Sequence, residues 1–146
     1  MVEVKLISAE ETYEIRHKVL RPNQNIESCK FPSDNIEGSF DLGAFFENKL
    51  VSIASFYPEK NENVEGKVQY RLRGMATLDE YRNLKAGSAL IKYGEKVLKE
   101  RQVDAWWCNA RVTASGYYKK LGLSVKGDVF DIPGIGPHKL MYKHLS

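Results

Sequence analysis

Two stretches of the 146-residue sequence place backbone and side chains at spacings that could hold an anion. The first is Gly74-Met75-Ala76-Thr77-Leu78 followed by Asp79-Glu80-Tyr81-Arg82-Asn83-Leu84-Lys85-Ala86-Gly87-Ser88-Ala89-Leu90. An apolar run feeds a short polar loop, and the loop opens a segment of helical periodicity. Free amides at a helix start, together with the helix dipole, favour a bound anion. Gly87 permits close backbone approach, and Arg82 and Lys85 add positive charge, so the segment reads as a cradle for a pyrophosphate. One glycine is weak evidence, and an ordinary strand-to-helix connection with solvated basic residues fits the same residue types. The second stretch is Cys108-Asn109-Ala110-Arg111-Val112-Thr113-Ala114-Ser115-Gly116-Tyr117-Tyr118-Lys119-Lys120-Leu121-Gly122-Leu123.

Three arginines stand next to these stretches or to a predicted helix end. Arg73 lies just ahead of Met75, Arg111 follows the strand containing Trp106 and Trp107, and Arg21 ends the first helix. Taken singly, each reads as a solvated or acid-paired surface arginine. A guanidinium is a planar fork suited to bidentate binding of carboxylate or phosphonate. His138 follows the stiff Gly136-Pro137 pair. On residue type alone it is a hydrogen-bonded loop histidine, and His17 and His144 read as surface residues. Cys29 and Cys108 are far apart and share no metal-ligand spacing, which fits reduced thiols and no bound metal.

The elements that must position these residues are legible in outline. Val2 to Ile7 alternates as a strand, and Ser8-Ala9-Glu10-Glu11 has the form of a capping box. The helix that follows carries Ile15, Val19 and Leu20 on one face and should end before Pro22. An irregular stretch follows, with a short second helix near Glu27. Ser39–Glu47 and Leu50–Tyr57 read as strands joined through Asn48-Lys49. Lys67 to Leu78 is a strand interrupted by Gly74. Ala86 to Arg101 is the clearest helix, with Ala86, Leu90, Tyr93, Val97 and Leu98 at helical spacing. Val103 to Cys108 is a strand, and Thr113 to Leu121 is a helix closed by Gly122. Val125 to Ile132 and His138 to His144 are strands joined by the turn-rich Pro133-Gly134-Ile135-Gly136-Pro137. The strand, long helix and strand around residues 68–108 form a parallel crossover. The expectation is therefore one α/β domain over 1–146, with a mixed sheet of seven strands flanked by four helices.

Tyr117-Tyr118-Lys119-Lys120-Leu121-Gly122-Leu123 resembles the aromatic-Tyr-x-Lys-x-Gly-Phe segment of the GNAT N-acetyltransferase superfamily, with Leu123 in place of Phe. Tyr81 to Leu90 is similar to that superfamily's acetyl-CoA loop, in the same order and at its usual separation. Lys85 stands where the loop ordinarily has its first glycine, and a side chain there should restrict the backbone. Within the superfamily, Arg21-Pro22-Asn23-Gln24, the Gln69–Leu78 stretch, Trp107-Cys108-Asn109-Ala110-Arg111 and Gly136-Pro137-His138 resemble the bacterial glyphosate N-acetyltransferases.

The resemblance implies a splayed parallel strand pair that holds acetyl-CoA as co-substrate. Met75, Ala76 and Thr77 would contact the pantetheine arm, with the Met75 amide donating to the thioester carbonyl. Arg82, Asn83, Leu84, Lys85, Ala86, Gly87 and Ser88 would bind the pyrophosphate. Tyr118 would sit near the sulfur and protonate the departing thiolate. Arg21, Arg73 and Arg111 would hold the anion of the acceptor, and His138 would bind the acceptor and act as general base. The implied activity is direct acetyl transfer, in a ternary complex, to a small anionic amine such as an amino acid or an aminophosphonate, glyphosate among them. The same fold could instead serve a peptide or another amine, or a non-catalytic acyl-CoA-binding module.

Composition narrows the field further. With 22 Lys and Arg against 19 Asp and Glu, the net charge is +3, and no basic run exceeds two residues, which argues against nucleic acid as a partner. The chain is 42% hydrophobic and 11% aromatic, which argues against disorder. No apolar run approaches the roughly 18 residues of a membrane span, and the N-terminus has no signal-peptide pattern. A cytoplasmic protein without a membrane partner is expected, and the sequence sets no oligomeric state.

Overall fold

The computed structural model describes residues 1–145. Seven strands form one mixed sheet in the order β1-β2-β3-β4-β5-β7-β6. Contacts divide the chain into two compact units, Met1–Pro58 with Leu72–Val97, and Glu59–Arg71 with the chain from Leu98 on. No helix of the described residues is long and apolar enough to cross a membrane.

The first unit opens with β1 (Glu3–Ile7) and α1 (Ala9–Ile15). The capping box forms as its residue types dictate: Ser8 Oγ accepts from the Glu11 amide at 3.3 Å, and Glu11 Oε1 accepts from the Ser8 amide at 2.9 Å. The helix does not continue in α geometry to Pro22. Arg16–Leu20 is a π turn, closed by the Arg21 amide donating to the Arg16 carbonyl five residues back at 3.1 Å. Arg21, at φ −138° and ψ 52°, leaves the helix just before Pro22. Short 3₁₀ turns follow at Ile26–Cys29 and Pro32–Asn35.

Strands β2 (Phe40–Phe46) and β3 (Lys49–Pro58) pair antiparallel, with Phe46 opposite Lys49. Their connection is Glu47-Asn48, one residue earlier than the expected Asn48-Lys49. Both residues take positive φ, 49° and 68°, the requirement of the hairpin turn whose twist matches the strands. Strand β4 (Gln69–Thr77) continues through Gly74, and α2 (Ala86–Glu100) follows a 3₁₀ turn over Asp79–Leu84. The fully buried positions of α2 are Ala86, Leu90, Ile91, Gly94 and Leu98, whereas Tyr93 and Val97 are half-buried. Gly94 belongs to the buried face because a Cβ there would lie 2.6 Å from the Phe56 ring, so the absence of a side chain lets the helix backbone approach that ring.

In the second unit, β5 (Ala105–Arg111) pairs antiparallel with β7 (Gly136–His144), which pairs antiparallel with β6 (Ser124–Ile132). Residues Gln69–Arg71 of β4 run parallel to Ala105–Trp107 of β5. Strand β5 extends to Arg111, so that residue closes the strand instead of following it. A 3₁₀ turn at Val112–Ala114 leads into α3 (Ser115–Lys120). Gly122, at φ 99°, ends α3 as a Schellman motif: the Leu123 amide donates to the Tyr118 carbonyl and the Gly122 amide to the Lys119 carbonyl. The β6–β7 connection tightens on Pro133 and Gly134. Gly134 is at φ 81° and the Ile135 amide donates to the Ile132 carbonyl at 2.9 Å, the pattern of a type II turn.

Gly74 carries a conformational demand with a measurable consequence. Its φ is 66°, and a Cβ would meet the Phe31 ring at 3.1 Å. Gly74→Ala is expected to cost about 1–2 kcal/mol from the left-handed backbone alone. For a chain of this size that lowers the melting midpoint by roughly 2–8 °C. Gly116→Ala, where a Cβ meets nothing within 4 Å, should leave the midpoint unchanged or raise it, and thermal unfolding of the two variants checks both.

Candidate active site

The stretch read from the sequence as an anion cradle begins, in the first unit, in β4. Met75 is half-buried and Ala76 buried. Ser52 Oγ donates to the Ala76 carbonyl at 3.1 Å and lies 2.6 Å from the Thr77 hydroxyl, which ties the end of β4 to β3. The Leu78 amide donates to the Val51 carbonyl at 2.9 Å. Arg82 and Asn83 are exposed, and Arg82 pairs with Asp79 at 3.0 Å on the surface. Lys85 adopts the left-handed conformation, φ 57° and ψ 31°. The expected restriction at this position is thus met by a strained residue, because the chain still makes the turn that glycine would make without cost. The Ala89 amide donates to the Lys85 carbonyl at 3.2 Å and begins the α2 ladder. The amides of Ala86, Gly87 and Ser88 precede that bond and make no bond to a carbonyl four residues back, so they are the donors a helix start offers to an anion.

A second arrangement in the same unit centres on Phe31, which is buried. The guanidinium carbons of Arg16, Arg73 and Arg21 lie 3.9, 4.5 and 5.1 Å from its ring centroid. Arg21 Nη1 also donates to the Ser28 carbonyl at 2.6 Å. Arg16 is fully buried and was not singled out from the sequence. It forks onto Asp34 with two bonds of 2.8 and 2.9 Å, donates to the Cys29 carbonyl and Ser55 Oγ, and lies 3.5 Å from Asp41. Ser55 Oγ donates in turn to Asp41. Burial pushes the Asp41 carboxyl above the usual range, against the opposing pull of the Ser55 bond and Arg16, and nearby Asp34 pushes the same way as burial. The sequence signal for Arg16 is its place four residues after Thr12 and one after Ile15, on the buried side of the first helix. A charge there requires a partner.

The second unit holds the remaining candidates. Arg111 and His138 are direct partners across the antiparallel β5–β7 ladder, so their side chains leave the same face of the sheet. Arg111 is exposed, and His138 is only 5% exposed. His138 Nδ1 lies 2.8 Å from the Gly136 carbonyl. A carbonyl oxygen only accepts, so the neutral ring carries its proton on Nδ1, and Nε2 is left as the basic nitrogen. The Phe130 ring flanks it at 6.2 Å. His17 and His144 each direct Nε2 to a backbone carbonyl, of Gln24 and Glu65, at the surface.

Tyr118 is half-buried in α3 and meets the Tyr117 ring edge-on at 5.3 Å. Burial pushes its phenol pKa well above the ordinary value, and Cys108 and Tyr117 add to the rise. The phenol therefore remains a proton donor across the physiological range. Burial likewise pushes the Cys108 thiol up to about 12, against a lowering pull from Arg71. Cys108 is thus held as a thiol, outside nucleophilic chemistry at neutral pH. The fold accordingly gathers Arg21 and Arg73 on Phe31 in one unit, and Arg111 with His138 in the other.

Comparison with known proteins adds a family. A model of the acetyltransferase (GNAT) family matches residues 7–123. Over 145 residues the chain is 57% identical to the uncharacterized N-acetyltransferase YitI of Bacillus subtilis (strain 168), covering 99% of this chain and 97% of that protein. Among solved structures, an aminoglycoside 6'-N-acetyltransferase complexed with coenzyme A matches with a TM-score of 0.77 at 12% identity, over 99% of this chain and 97% of that one. The ribosomal-protein-S18-alanine N-acetyltransferase from Escherichia coli matches with a TM-score of 0.74 at 16% identity, over 100% and 95%. Identities this low show likeness of fold alone.

Proposed function

The chain belongs to the acetyltransferase (GNAT) family and is an acetyl-CoA-dependent N-acetyltransferase, and from that premise we propose that its acceptor is a small amine carrying at least one carboxylate or phosphonate. The single observation that carries this reading is the pairing of Arg111 with His138 on neighbouring strands, a guanidinium of the kind suited to carboxylate or phosphonate in register with a ring whose hydrogen bond leaves Nε2 as its basic nitrogen. Amino acids and aminophosphonates fit this class. Glyphosate, an amine bearing both a carboxylate and a phosphonate, falls within it.

In this reading the first turn of α2 and its approach, Arg82 to Ser88, hold the pyrophosphate of acetyl-CoA through backbone amides and the Arg82 and Lys85 charges. Acetyl-CoA supplies the activated acetyl group as a thioester. Met75, Ala76 and Thr77 line the pantetheine arm, and the Met75 N–H steadies negative charge on the thioester oxygen as it develops. Arg21, Arg73 and Arg111 hold the anion of the acceptor. His138 Nε2 removes the proton that blocks the nitrogen lone pair, and the freed amine adds to the thioester carbonyl to form the C–N bond. The C–S bond breaks as the carbonyl re-forms, and Tyr118 gives its proton to the departing thiolate. The proton remaining in excess on the acylated nitrogen passes to the Tyr118 phenolate. No covalent enzyme intermediate is required. We place this activity in one domain and in the cytoplasm, where the buried thiols of Cys29 and Cys108 remain reduced.

The arginine assignment is tested by Arg73→Ala and Arg111→Ala. Losing a charged hydrogen-bond partner costs about 1.5–3 kcal/mol, so the acceptor KM should rise roughly 10–100-fold while the acetyl-CoA KM changes little. Equal effects on both substrates, or none on either, would remove the arginines from the acceptor site.

A further inference from the structure

The cluster around Phe31 explains more than the burial of a ring. Two carboxylates that partner Arg16 are committed: Asp34 forks onto Arg16, and Asp41 takes the Ser55 hydroxyl beside Arg16. Among the described residues, no carboxylate pairs with Arg21 or Arg73. Two guanidiniums of unmatched charge are therefore held against one buried ring. Such a pair repels itself and would separate into water unless something attractive holds each member.

The ring supplies that attraction through its negative π face, and its position is fixed from several sides. The Phe31 amide donates to Asp34 Oδ2 at 3.0 Å, so the carboxylate that anchors Arg16 also pins the Phe31 backbone. The Arg16 guanidinium packs on the ring at 3.9 Å. Gly74, without a side chain, lies against ring atom Cε2, which sets β4 close enough for the next residue back, Arg73, to reach the ring. Arg21 is held additionally by the Ser28 carbonyl.

We propose that Phe31 is a positioning residue for the acceptor: its ring, locked by Arg16 and Asp34, holds Arg21 and Arg73 together as a two-guanidinium receptor for one carboxylate or phosphonate. This rests on the anionic-acceptor reading above and adds the device that keeps two like charges preorganised. Phe31 itself touches neither the anion nor the reacting atoms.

The test keeps the packing and changes only the π density. Phe31 is replaced by 4-fluoro-, 3,5-difluoro- and 3,4,5-trifluorophenylalanine, and binding of aminomethylphosphonate is measured by calorimetry in the presence of CoA, with methylamine as the uncharged-tail comparison. Affinity for aminomethylphosphonate should fall stepwise with fluorine number, by about three- to tenfold over the series. Methylamine and CoA affinities should stay level. In an Arg21→Ala/Arg73→Ala background the series should be flat. Unchanged affinity across the series, while Arg73→Ala alone still weakens aminomethylphosphonate, would overturn the role of the ring and leave the anionic-acceptor reading intact. A slope that persists without the two arginines would overturn it as well. Failure of the wild-type protein to prefer aminomethylphosphonate over methylamine would instead overturn the anionic-acceptor reading, and the role of Phe31 with it.

Discussion

His138→Ala is expected to lower kcat by about 10²–10⁴-fold, the range general base catalysis contributes, with a much smaller change in acetyl-CoA binding. An alkylammonium is no nucleophile, because its lone pair carries a proton. The Gly136 carbonyl holds the His138 proton on Nδ1, and Nε2 is the nitrogen that can accept. His17→Ala and His144→Ala should change little, since both rings sit at the surface. A near-wild-type kcat in His138→Ala would remove His138 from the base role.

The second large effect is at Tyr118. Tyr118→Phe should keep acetyl-CoA affinity and slow the single-turnover chemical step by about 10²-fold, the low end for general acid catalysis because a thiolate is a fair leaving group. The pH dependence has a definite sign. The folded-state pKa is raised above the ordinary phenol value, chiefly by burial, so the proton is held from neutral pH up past the point where an exposed tyrosine would lose it. Ionisation of Tyr118 therefore cannot produce an alkaline fall in rate below about pH 10. The same shift makes the fold lose stability as pH rises above that value, because the unfolded chain then releases a proton that the folded chain retains. An unchanged single-turnover rate in Tyr118→Phe would reassign the residue to packing beside Tyr117.

What the sequence discloses follows the range of the interactions involved. The Ser8–Glu11 capping box, the Gly122 helix end and the Pro133-Gly134 turn depend on neighbours within a few residues, and each forms as its local chemistry requires. The Glu47-Asn48 turn was displaced by one residue because Glu47, an unfavoured type, takes positive φ. Gly94 is not among the apolar positions that the helical spacing of α2 picks out, yet it belongs to the buried side because Phe56 occupies the space of its missing side chain. The π turn at Arg16–Leu20 has no local signature of its own.

The site divides in the same way. The loop over Arg82–Ser88 and the tyrosine segment are readable as motifs. The Arg16 network joins residues 13 to 39 positions apart, and the ring that gathers Arg21 and Arg73 becomes visible only once the 3₁₀ turns and β4 are placed. Taken singly, those arginines read as solvated or acid-paired surface residues, because single positions do not disclose that Asp34 and Asp41 are already taken by Arg16 and Ser55.

The most direct measurement is release of free thiol from acetyl-CoA with matched acceptors, each amine bearing a carboxylate or phosphonate run beside its uncharged amide or ester, with the N-acetylated product quantified in parallel. Thiol and product should appear in equal amounts, and kcat/KM should favour the anionic member of each pair by about tenfold or more, the discrimination that loss of one charged hydrogen bond entails. Preference for the uncharged members or for peptides, or thiol release without acetylated amine, would contradict the account.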